Sequence, residues 1–199
     1  MSAVPARGHE PVEALEDLEA LDDEEFGVRL LAATPTQEGR DPDRLRQWAR
    51  AAAEFGAALP AVPSSARIVE RDDGLGRGLL ARCTTRPVPT VELFTDTLAR
   101  AEELIDARGW RGWYPAGSVR AAALAHEAVH ERLHHGPAKA ELRRALGHVV
   151  LKVGRHRVYG HVAGADEIAA HAHARVVCGL GRSPLLLTAA LAASYGREN

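Results

Sequence analysis

His126-Glu127-Ala128-Val129-His130 sets two imidazoles four residues apart with a carboxylate between them. On an α-helix, residues at that spacing project from one face, so both rings can reach the same metal ion. Glu127 points to the neighbouring part of the face, where a carboxylate can take a proton from a water beside the metal. Two imidazoles and an adjacent carboxylate are the smallest set that supports zinc-dependent hydrolysis. Catalytic zinc takes three protein ligands and keeps one position open, so a further ligand has to come from elsewhere in the chain.

Histidine placement marks the region to search, since nine of the ten histidines fall between His126 and His173. His134 and His135 stand at the wrong offsets to be a closely following third ligand, and no glycine lies three residues after His130. The better candidate is Glu167, within Gly164-Ala165-Asp166-Glu167-Ile168-Ala169-Ala170-His171-Ala172-His173. It falls in the first turn of a second helix whose alanines permit a close helix approach. His171, four residues on, shares its face.

With these two motifs the chain resembles the gluzincin class of zinc metallopeptidases. There, HExxH supplies two ligands and the base, and a glutamate on a later helix supplies the third ligand, often as ExxxD. The resemblance implies Zn2+ held by His126, His130 and Glu167, with Glu127 as general base and a peptide or peptide-like substrate. His171 stands where the class often has an aspartate that holds a ligand histidine, so it is expected to orient a ligand or to replace one. For the group that polarises the scissile carbonyl, His161 and Tyr159 are the nearest candidates. Pro89 to Phe94 is similar to the edge strand along which small zincins lay their substrates. The likeness covers residues 88–180 and is closest to compact bacterial gluzincin-like proteins.

These side chains need a scaffold. Ser118 is a candidate N-cap for a motif helix from Val119 to about His134, ended by Gly136-Pro137. Asp166 to Cys178 reads as the glutamate-bearing helix, and Ser183-Pro184 opens a last apolar one. Upstream, Asp41-Pro42-Asp43 starts a helix through Leu45, Trp48, Ala52 and Phe55, and Thr95 can cap another that ends before Gly109. Between them, Ala66–Glu70, Gly78–Thr84 and Pro89–Phe94 are short and β-prone, separated by turn-forming sequence. Ala138 to Leu146 looks helical, and residues 147–163 alternate weakly, as a hairpin or a loop. Trp110, Trp113 and Tyr114 are expected as core anchors or a cleft wall. The pattern predicts an α+β fold, predominantly helical, with a small, mostly antiparallel sheet packed on the motif helix and the glutamate-bearing helix. Residues 1–40 are expected to be an acidic segment, disordered in part or forming a surface helix through Leu15, Leu18 and Leu21. Residues 41–199 are expected to be a single domain.

Composition sets the limits. The chain has 199 residues, 46% hydrophobic and 26% charged, a globular balance. A net charge of −2 gives no general attraction to nucleic acid or to a membrane, and no apolar run approaches a membrane span. The first residues lack a basic stretch followed by an apolar one, so the cytoplasm is the expected compartment. Cys83 and Cys178 are too few for a disulfide framework or a cysteine-built zinc site and are expected as reduced, packed thiols. Only Lys139 and Lys152 are lysines, a skew that fits a bacterial genome rich in G and C.

Two other readings compete. A ferritin-like di-iron carboxylate protein would use Glu127-Ala128-Val129-His130 as ExxH, the Glu167–His171 pair, and carboxylates recruited from Glu92, Glu102 and Glu103. A non-catalytic, zinc-stabilised interaction protein would instead close the fourth metal position with a residue such as His161 or His171. His148 and His156 are read as ordinary surface histidines rather than a second metal site.

Overall fold

A computed structural model describes residues 15–61, 64–134 and 137–198. The fold is α+β and 60% helical, with small sheets of two and three strands. Its helices are α1 (Leu15–Ala20), α2 (Asp23–Ala32), α3 (Pro42–Ala58), α4 (Thr95–Arg108), α5 (Ser118–His134), α6 (Ala138–Leu146), α7 (Ala165–Val177) and α8 (Pro184–Glu198). Its strands are β1 (Arg67–Arg71), β2 (Ala81–Thr84), β3 (Thr90–Phe94), β4 (Val149–Val153) and β5 (His156–Tyr159).

The three-stranded sheet corrects one expectation. Its order is β1-β3-β2, so the Pro89–Phe94 segment is the central strand and β2 is an edge. β2 runs antiparallel to β3, but β1 pairs with β3 in parallel, Ile68 opposite Val91 and Glu70 opposite Leu93. The physical reason lies in the side chains. Val91, Leu93 and Phe94 are fully buried whereas Ile68 is half exposed, so the most apolar strand takes the position covered on both flanks. Residues 147–163 resolve as an antiparallel hairpin, β4 with β5.

Two helix starts also differ from expectation. Ser118 is the first residue of α5, and its hydroxyl is buried without a partner instead of capping the helix. Thr95 donates its hydroxyl to the Arg71 carbonyl at 2.9 Å. Asp96 is the residue that ties α4 down, accepting the amides of Gly74 at 3.1 Å and Leu75 at 2.9 Å.

The disorder expected before Leu15 lies outside the described residues. From Leu15 onward the acidic segment folds as α1 and α2, which contact α8 and α3. Leu18, Phe26, Val28 and Leu31 are buried. Its acids reach far along the chain: Glu19 binds Arg108, and Asp23 binds Arg175. Of the buried apolar side chains only Leu18 lies on α1, the helix expected through Leu15, Leu18 and Leu21; Phe26, Val28 and Leu31 lie on α2.

Two apolar clusters fill the interior. One gathers β3, α4, α8, Trp110, Tyr114 and the first half of α5, and the other gathers α2, α3, α6 and most of α7. α5 gives Val119, Ala122 and Ala123 to the first and Val129 and Leu133 to the second. α7 likewise contributes to both, so the two motif-bearing helices join the clusters and are held from both sides. Trp110 and Tyr114 are core residues; the Tyr114 hydroxyl donates to the Ser183 carbonyl at 2.7 Å, and burial, with Asp23 nearby, pushes its pKa up.

Candidate metal centre

α5 and α7 pack against each other and bring the two motifs together. The helical spacing turns His126 and His130 toward α7, and their Nε2 atoms lie 3.0 Å apart. Glu167, in the first turn of α7, reaches both rings: its Oε2 is 3.3 Å from His126 Nε2 and its Oε1 is 3.2 Å from His130 Nε2. Ligand atoms of these three residues all lie within 4.8 Å of one another, which makes them a group that can hold a metal ion. The spacing suits zinc: four tetrahedral bonds of about 2.0–2.1 Å put neighbouring ligand atoms about 3.3 Å apart. Other divalent metals accept the same spacing.

The electrostatics follow from this crowding. Burial works to raise the Glu167 pKa, but hydrogen bonds from both imidazoles overcome it and hold the carboxyl well below its usual range. For His130, burial disfavours the charged ring, and the hydrogen bond to Glu167 with the charges of Glu127 and Asp166 outweighs it, so its pKa is raised. A carboxylate held ionised against an imidazole that keeps its proton is a site where a cation of higher charge competes with that proton.

The remaining expected residues divide. Glu127 is buried at 8% exposure, and among the described residues its carboxylate has no hydrogen bond or ion pair, although it lines the cavity beside the triad. Glu131, one turn on, is committed differently, accepting from Ser64 and Ser65 at 2.6 Å each. His171 does not join the converging group; its ring lies 4.4 Å from that of His126. Burial and the neighbouring His126 pull its pKa far down, and both its Nδ1 and that of His126 are buried without partners. His161 lies exposed between β5 and α7 and is not among the residues lining the cavity, nor is Tyr159. His148 packs edge-on against Trp48 at 5.1 Å, and His156 is exposed on β5.

The cavity measures about 500 Å³ and is walled by residues 78–83, α5, the start of α7 and the start of α8. Sequence reasoning missed that β2 forms one wall, and that His134, Asp166 and Cys83 line the space. For His134 a signal existed, since it continues the His126, His130 spacing by one more turn. Cys83 carries a thiol pushed up by burial and by the Glu127 and Glu131 carboxylates, so it stays protonated and is a poor metal ligand. Both cysteines are free.

The di-iron alternative needs carboxylates that are engaged elsewhere. Glu92 pairs with Arg82 and Arg71 on the sheet, Glu102 with Arg111, and Glu103 with Arg100. No helix among the described residues is long and apolar enough to cross a membrane. Comparison with protein-family models, curated proteins and solved structures finds nothing that matches this chain.

Proposed function

We propose that the protein is a zinc-dependent hydrolase of gluzincin type, a peptidase of the cytoplasm, with zinc on His126, His130 and Glu167. One observation carries this reading: three donor groups converge on one point in a cavity wall beside Glu127, which lines the same cavity and whose carboxylate has no hydrogen bond or ion pair among the described residues. Uncommitted in this way, that carboxylate is available for proton transfer. Zinc, when bound, supplies the Lewis acidity that activates water and polarises a carbonyl. Glu127 then takes the proton of the attacking water and delivers it to the leaving amine. His126, His130 and Glu167 would hold the ion, and His171 packs against the His126 ring and limits its rotation.

The cavity supports a peptide substrate. β2 has a strand partner on one side only, so an extended backbone can add to its other edge. Val119, Leu180 and Leu187 line the same space and favour an aliphatic side chain next to the scissile bond. The test is cleavage of a mixed peptide library by zinc-loaded protein. Wild type is expected to cut beside aliphatic residues, and Glu127→Gln is expected to bind zinc and leave the library intact. Equal cleavage by the two proteins would remove Glu127 from its role as the base.

A further inference from the structure

A net charge of −2 conceals a local excess of the opposite sign. Between Glu141 and Asp166 the chain contains no acidic residue, while Arg143, Arg144, Lys152, Arg155 and Arg157 are all basic. The last three belong to the β4–β5 hairpin, and among the described residues their side chains make no hydrogen bond or ion pair. Elsewhere arginines are typically engaged, as Arg71 is with Asp73, Arg108 with Glu19 and Arg111 with Asp106.

The hairpin is also where apolar surface is left uncovered. Val150, Leu151, Val153 and Val158 are 56%, 55%, 60% and 48% exposed, four of the nine exposed large hydrophobic residues described. Strand register sorts three of them; Val150 falls at the irregularity between Val149 and Leu151. Leu151 pairs with Val158 and Val153 with His156, which puts Leu151, Val153 and Val158 on one face, whereas Lys152 pairs with Arg157 on the other.

We propose that this hairpin docks on an anionic lipid bilayer, its aliphatic face entering the headgroup region and Lys152, Arg155 and Arg157 meeting lipid phosphates and carboxylates. A bilayer offers an apolar medium and fixed anions at one surface, whereas nucleic acid offers only the anions. A protein partner ordinarily requires about 20–30 residues on each side, more than these two strands present. Long basic side chains can reach back from the far face to the headgroups. The attachment is peripheral and independent of the zinc site.

Flotation of the full-length, zinc-loaded chain with vesicles tests this. The protein is expected to float with vesicles of equal parts phosphatidylglycerol and phosphatidylcholine, to stay behind with phosphatidylcholine alone, and to be released by salt. Each basic residue at such a surface contributes roughly fivefold to partitioning, so Lys152→Glu with Arg157→Glu should lower it at least about tenfold. Leu151→Asn with Val153→Asn should also release the protein, with all its charges intact. Unchanged near-UV circular dichroism and zinc content would show that these exposed substitutions leave the fold whole. The proposal is overturned by absence of flotation, or by flotation that neither double variant affects. It is equally overturned if only the charge variant matters and duplex DNA binds as well, which identifies a nucleic-acid surface. A dimer in solution that dissociates in the aliphatic variant, without vesicle binding, would identify a self-association face instead.

Discussion

α7 meets α3 on one side and α5 on the other, and the two contacts are made of opposite materials. Toward α3 the contact is backbone against backbone: a Cβ at Gly56 would lie 2.0 Å from the Ala169 carbonyl oxygen. His173, also buried, donates to the backbone at the end of α3, at Gly56 and Leu59, while its Nδ1 is left without a partner. Toward α5 the same helix presents Glu167 and His171 to His126 and His130, and two buried imidazole nitrogens are left without partners. One side is packed backbone on backbone; the other gathers a carboxylate and imidazoles whose converging atoms, Glu167 Oε and the Nε2 atoms of His126 and His130, pair only with one another and are arranged to share a ligand.

The largest expected effect separates the two sides through chemistry. Glu127→Gln should slow hydrolysis by about 10²–10⁴-fold, the usual contribution of a general base, while zinc content and stability are kept. A marked loss of stability in that variant would place Glu127 among the packing residues and erase the contrast. Next comes Gly56→Ala, which forces a methyl group against the α7 backbone and should cost about 3 kcal/mol or more in a denaturant titration. Tolerance of the methyl would mean that α3 and α7 are not locked together. His171→Ala should be milder, weakening zinc affinity about 10–100-fold while one zinc still binds at saturation, as expected for a residue that supports a ligand.

The smallest effect is a pH slope on the packed side. Burial lowers the His173 pKa below its ordinary value of 6.5, and Arg132 adds to this, against the hydrogen bonds to Gly56 and Leu59. The folded protein therefore keeps His173 neutral where the unfolded chain already binds a proton. Its stabilising contribution is complete above pH 6.5 and is lost as pH falls toward the folded pKa. In metal-free protein, urea titrations on either side of that value should give a shallower pH slope for His173→Leu than for wild type. An identical slope would show that His173 is not held neutral.

Much of this contrast was legible in the sequence, and the reasons are local. The four-residue spacing of His126 and His130, and the alanines around Glu167, are properties of single helices that survive folding unchanged. The sheet was less legible. That β1 joins β3 in parallel, skipping β2, depends on contacts between segments distant in sequence, and only the apolar density of Thr90–Phe94 hinted at a central strand. In the acidic start a short helix through Leu15 and Leu18 was legible, but the partners of Glu19 and Asp23, Arg108 and Arg175, lie far away in the chain and cannot be inferred from composition. His161 was put forward with Tyr159 as a candidate to polarise the carbonyl, yet the turn before α7 leaves it exposed and off the cavity wall.

Elemental analysis of protein purified without an affinity tag tests the metal centre most directly, comparing wild type with Glu167→Ala and His171→Ala. The convergence of His126, His130 and Glu167 predicts one zinc per chain in wild type, none in Glu167→Ala and one in His171→Ala at saturating zinc. Zinc kept by Glu167→Ala but lost from His171→Ala, or two irons per chain in wild type, would contradict it.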